Sequence, residues 1–232
     1  MSADESPPGT GRRLAEQLLD PGDLAFLEAL TGAGRLAELD DQEMVRIASE
    51  VGDAESAEAR RVDLLEMYYA AAGANEDAKR RIEADRFFVQ KVGEPATAAG
   101  LVERLARLAP EIGQAALTRI GGGDDGPLVV QTGEHFAAVL DDYDEETDTD
   151  QYSIKEAEQR RSDVPMVTVR GLVRAVNVLL EKADVRERLI GIRSDAEREV
   201  YVSLGLSDAL TFADQDFLED DSRQDVMALG AW

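Results

Sequence analysis

Cysteine is absent from the 232 residues. That excludes disulfide frameworks, thiolate zinc sites and any cysteine nucleophile, and it favours a cytoplasmic or virion setting over an oxidising one. Histidine is nearly absent: the single His135 cannot supply the usual two-histidine metal set. Long apolar runs are missing too. No stretch reaches the ~18 residues that a membrane-spanning helix requires, and the opening MSADESPPGTGRR lacks the charged-then-apolar pattern of a signal peptide. A chain that neither spans nor enters a membrane is expected. Lysine is scarce, with Lys79, Lys91, Lys155 and Lys182 set against 21 arginines, and aromatic residues make up only 5%.

Acid is what the chain has in excess. Asp and Glu number 49 against 25 Lys and Arg, a formal charge of −24, far beyond the roughly 2 to 8 units typical of a small domain. Such a surface repels itself in dilute buffer and repels phosphate backbones, because nucleic-acid affinity depends on Lys and Arg neutralising phosphates. At about 1 M salt the Debye length shrinks to about 3 Å and neighbouring carboxylates are screened from one another. Acid excess with scarce lysine therefore reads as salt adaptation. A GC-rich genome would also favour Arg over Lys, but it would not raise the acid content.

The punctuation of the chain suggests four segments. Residues 1–11, with paired prolines and glycines, read as a flexible arm. From 12 to 120 apolar residues recur mostly at helical spacing, as in Leu24, Leu27 and Leu30, or Val62, Leu65 and Tyr69, with Pro21-Gly22, Gly52, Gly73 and Gly93 as stops. Phe87 and Phe88 fall on the helix starting near Asn75, and Leu117 and Ile120 on the last of these stripes. Residues 121–127, GGGDDGP, read as a linker. Residues 128–232 read as a smaller α+β lobe holding an acidic loop at 141–150, a strongly amphipathic helix from about Thr168 to Lys182, and a β-hairpin within 189–205. The segment Glu134 to Leu140 reads as a short helix. The expected fold class is thus mainly α: an N-terminal bundle of short helices followed by an α+β lobe with a hairpin.

Catalytic and metal constellations are weak. The run Asp141 to Asp150 carries seven acids in ten residues, but Thr147 stands where a calcium loop needs glycine and Ser153 where it needs glutamate. Weak cation condensation on a solvated loop is the expectation, with no dedicated metal site and no cofactor. His135, flanked by Glu134, Asp141 and Asp142, could form a carboxylate-assisted base, yet no glycine-flanked serine elbow accompanies it. The glycine run Gly121-Gly122-Gly123-Asp124-Asp125-Gly126 places aspartates where a phosphate cradle needs bare amides and a lysine. The basic pairs Arg60-Arg61, Lys79-Arg80-Arg81 and Arg160-Arg161 are interleaved with acids, the pattern of solvent faces laced with ion pairs.

Two further clusters bear on partners. Phe212, Phe217, Leu218, Val226, Met227, Leu229 and Trp232 gather apolar weight at the C-terminus, either capping the lobe or docking into a partner. Arg170 and Arg174 lie on the helix preceding the hairpin, an order that resembles a winged helix. The leading expectation is a non-enzymatic structural or adaptor subunit of a multi-protein assembly in a salt-adapted organism, with a head, neck or tail component of a haloarchaeal virus as one home. Its partners are protein subunits, in an oligomer or hetero-complex, rather than nucleic acid or membrane. The alternative is a regulatory module whose winged-helix-like C-terminal unit binds DNA or a protein, with Arg170 and Arg174 as the nucleic-acid contacts, and a third reading is a carboxylate/His hydrolase.

Overall fold

A computed structural model describes residues 17–36, 41–51, 56–72, 87–91, 94, 96–120, 128–133, 135–139 and 167–230. These form α1 (Pro21–Gly32), α2 (Asp41–Glu50), α3 (Ala57–Ala72), β1 (Phe87–Lys91), α4 (Ala98–Leu108), a 3-10 turn (Pro110–Ile112), β2 (Ala116–Arg119), β3 (Leu128–Thr132) and β4 (His135–Ala138). Then come α5 (Val169–Lys182), β5 (Arg188–Ile192), β6 (Arg198–Leu204), α6 (Leu206–Asp214) and α7 (Asp220–Gly230). The expected mainly α chain with an N-terminal helical bundle is overturned, because the described residues hold two three-stranded antiparallel sheets beside their helices.

Three segments read as helix are strands, for one shared reason: each is recruited by pairing that local periodicity does not reveal. Phe87-Phe88-Val89 joins β6, with Phe87 opposite Val202 and Lys91 opposite Arg198. Leu117 stands opposite Val130 in β2. His135 stands opposite Thr132 in β4, where Gly133 at φ +51° supplies the left-handed backbone that opens the turn.

The sheets and helices stack in four layers. The first sheet, in the order β1-β6-β5, sits inside the molecule. One of its faces, with Phe87, Ile192, Val200 and Val202, packs into a core shared with α1, α2, α3 and α6. The opposite face, with Phe88, Leu189 and Tyr201, packs into a second core with α4 and α5. The outer surface of that helix layer is covered by Val130 and Ala137 of the second sheet, in the order β2-β3-β4. The N-terminal helices therefore share a core with the C-terminal hairpin instead of closing on themselves.

Phe26, Phe212 and Phe217 anchor the first core edge to face, with ring centroids 5.2 to 6.3 Å apart, pairs worth about 0.5–1.5 kcal/mol each beyond their burial. Arg61 lies over the Phe217 ring at 5.0 Å.

Helix ends follow local chemistry. Thr168 caps α5 by accepting from the Gly171 amide at 2.9 Å, and Thr97 caps α4 from Gly100 at 3.1 Å. Three helices finish on a left-handed residue: Gly34 after α1, Asp184 after α5 and Asp216 after α6. In each, the next amide reaches back into the last turn, as Val185 N does to Leu180 O at 2.9 Å.

Three ion pairs hold charge inside this frame. Asp23, 3% exposed, accepts from Arg60 Nε at 2.6 Å. Arg35 meets Glu187 at 2.8 Å, and Glu187 in turn accepts from Ser203 Oγ at 2.9 Å. Arg198 joins the hairpin to α3, donating to Asp63 at 2.7 Å, Asp195 at 2.5 Å and the Ala59 carbonyl at 3.2 Å. Burial pulls the Arg198 pKa down, but the hydrogen bonds to Asp195 and Asp63 outweigh it, so the guanidinium is held above its already high ordinary value.

Candidate functional site: a groove beside an edge strand

β5 is an edge strand, and its outward peptide groups are closed by side chains and loop backbone rather than by another strand. The Asn177 carboxamide, from α5, accepts from the Leu189 amide at 2.7 Å and donates to the Leu189 carbonyl at 2.9 Å. One side chain thereby reproduces what a neighbouring peptide unit would offer. Further along, Gly191 N donates to Ser222 Oγ at 2.9 Å, Glu219 N donates to the Gly191 carbonyl at 3.0 Å, and Arg193 N donates to the Phe217 carbonyl at 2.8 Å. Position 191 is crowded: a Cβ there would stand 3.0 Å from Ser222 Oγ and 3.3 Å from Glu219 Cγ, so those side chains would have to shift by a few tenths of an ångström.

Between α5 and α7, above this edge, runs a groove of about 410 Å³. Arg170 and Arg174 rise from α5 on one wall, Asp221 and Asp225 from α7 on the other, and Leu189 and Tyr201 belong to its floor. The Arg170–Asp221 pair links the two walls and is about half exposed, so it contributes little, about 0–1 kcal/mol. A second cavity of about 340 Å³ shares Arg188, Ile190 and Val226 with the first and extends to Leu206. Val178, Leu206 and Met227 are large apolar residues left 41–50% exposed in this region.

Asn177 and Ser222 spend their polar atoms on the strand edge, and Arg188 donates to the Val185 and Glu187 carbonyls. What the groove offers a visitor is therefore apolar surface between two oppositely charged walls, suited to gripping a side chain.

The residues singled out from the sequence are distributed as follows. Phe212, Phe217, Leu218 and Val226 are buried in the first core, and Met227 is exposed on α7. The Leu229 side chain, Trp232, the acidic run 141–150 with Asp141 and Asp142, Glu134, the glycine run 121–126, and the basic clusters at 79–81 and 160–161 lie outside the described residues. Arg170 and Arg174 line one groove wall. His135 is exposed on β4 rather than on a helix. Arg60 and Arg61 serve the core through Asp23 and Phe217. Among the described residues no group of His, Asp and Glu is placed to hold a metal ion, and no described helix is long and apolar enough to cross a membrane. Asn177, Gly191 and Ser222 were not legible as functional, since a lone amide within an apolar helix carries no motif.

Compared with protein-family models, curated proteins and solved structures, the chain matches none.

Proposed function

We propose that the chain is a non-enzymatic structural or adaptor subunit of a multi-protein assembly in a salt-adapted organism, a head, neck or tail component of a haloarchaeal virus being one home that fits. The observation that carries this reading is the charge of −24 combined with how the fold spends its arginines. Arg35, Arg60 and Arg198 each hold a carboxylate from a position less than a fifth exposed. Each such pair is neutral, so the excess of 24 acids is left to the rest of the chain, an arrangement that concentrated salt tolerates and dilute buffer penalises. The groove between α5 and α7, lined in part by exposed Val178, is the contact surface this role would use.

The test is to purify the tagged chain in about 1 M KCl or more, where its charges are screened, and to measure its mass and its stoichiometric partners by light scattering and cross-linking. A defined complex heavier than the 25.2 kDa chain, lost on replacing Val178, which lines the groove, with Asp, supports the role. A strictly monomeric species without a partner counts against it.

One observation favours a second reading, a regulatory module with a winged-helix-like unit: α5 leads directly into the antiparallel β5/β6 hairpin. In that reading Arg170 and Arg174 make the contacts, and replacing both with Ala abolishes binding to the regulated partner. Unchanged binding removes it.

A further inference from the structure

The two sheets have four edges, and at three of them a helix side chain hydrogen-bonds an outward peptide group. Arg104 of α4 donates to the Val89 carbonyl of β1 at 2.7 Å while its guanidinium lies 4.4 Å above the Phe88 ring. Asn177 and Ser222 close β5. Lys182 of α5 donates to the Phe136 carbonyl of β4 at 2.6 Å. Open sheet edges invite pairing with other chains, and folded proteins blunt them for that reason.

The fourth edge is different. Val139 N bonds the Leu128 carbonyl, so Leu128, Val130 and Thr132 direct their peptide groups toward β4, and Val129 and Gln131 direct theirs toward β2. Opposite those two stand Thr118 and Ala116. The alternation sends the Leu117 amide and carbonyl outward, and among the described residues nothing meets them.

We propose that β2 is a self-association edge: two copies of this chain pair their β2 strands antiparallel about a two-fold axis, joining their outer sheets into one of six strands. The occupant is a second copy because the two ends of β2 complement each other. At the end of the strand Ile120 stands 48% exposed. At its beginning lies an open furrow of about 920 Å³, walled by Ala106, Pro110 and Ala115 together with Glu103, Arg107 and Gln131. Antiparallel pairing lays the end of one β2 beside the beginning of the other, so each Ile120 enters its partner's furrow, the reciprocal contact that a two-fold interface demands. Two chains of −24 repel one another, and concentrated salt screens that repulsion. Within Ala116–Ile120 the single charge is Arg119 in a chain of −24, and the outward side chains Ala116 and Thr118 are small and exposed. The furrow adds apolar contact that a four-residue strand alone could not supply.

This goes beyond the assembly role and stands on the sheet edge, so the two fail separately. The full chain in about 1 M KCl, where repulsion is screened, is expected to show a concentration-dependent species at twice 25.2 kDa, with the Leu117 amide slowed in hydrogen exchange as the dimer forms. Leu117→Pro removes an outward amide that no ladder bond uses, and Ile120→Asp places a carboxylate in each furrow. Each is expected to weaken dimerisation at least tenfold, and Ile120→Asp, at an exposed position, to leave the monomer's unfolding midpoint unchanged. If Leu117→Pro does not fold, Ile120→Asp decides. A wild type that stays monomeric at every concentration overturns the proposal even if a hetero-complex forms, and so does a dimer indifferent to Ile120→Asp.

Discussion

Replacing Asn177 tests whether one side chain can finish a sheet edge. In Asn177→Ala the Leu189 amide and carbonyl lose their partners at 2.7 and 2.9 Å, although Leu189 itself is 2% exposed. A buried peptide group without a partner costs about 1–3 kcal/mol. The adjoining groove lets water approach from one side, which keeps each loss near the low end, so about 2–3 kcal/mol in total is expected. Urea unfolding at fixed KCl measures it, and the Leu189 amide should exchange ~30- to 150-fold faster where exchange follows opening.

Asn177→Asp sharpens the test, because it keeps an acceptor for the amide but sets a carboxylate against the Leu189 carbonyl. Protonation restores a donor, so the folded-state pKa of that aspartate lies above its unfolded value. Its favourable contribution is then full below the unfolded pKa and is lost as pH rises through the folded one. The Asp variant should approach wild type toward acid pH, and the Ala variant should not. Wild-type stability in Asn177→Ala, with Leu189 still protected, would refute the idea that this carboxamide closes the edge.

Three further outcomes follow from the same framework. Arg60→Met strands the carboxylate of Asp23, which is 3% exposed, and should cost about 3–5 kcal/mol by denaturant unfolding; the double change with Asp23→Asn should recover most of it. Asp184, held at φ 56°, should yield about 0.5–1 kcal/mol of stabilisation as Asp184→Gly, since glycine adopts that backbone without strain. Glu58 has a lowered pKa, chiefly from a backbone hydrogen bond in the first turn of α3 and then from Ser56. A carboxyl with a depressed folded pKa stabilises above its unfolded value and loses that contribution as pH falls through the folded one, so the gap between wild type and Glu58→Gln should close on acidification.

Legibility in the sequence tracked the range of the forces involved. The α5 helix was readable because Leu172, Val176, Leu179 and Leu180 repeat at helical spacing behind a capping Thr168, all within one turn or two of each other. β1 was not, because Phe87 and Phe88 fit a helical stripe locally and become a strand only through β6, more than a hundred residues away. Likewise, His135-Phe136-Ala137-Ala138 has little strand propensity of its own and is held as an edge by β3. In the groove, Arg170 and Arg174 were visible as a charged pair four residues apart, whereas the use of Asn177 depends on where Leu189 arrives. The arginine bias was plain in the composition, but that Arg35, Arg60 and Arg198 face inward is a property of the tertiary structure alone.

Everything about the role of this chain leans on its carboxylates needing concentrated counterions, and stability against salt tests that most directly. Between about 0.1 M and about 1 M KCl the Debye length falls from about 10 to about 3 Å. Unfolding free energy should climb steeply across that interval and then level off. A chain equally stable in dilute buffer, or one that weakens as KCl rises, would contradict it.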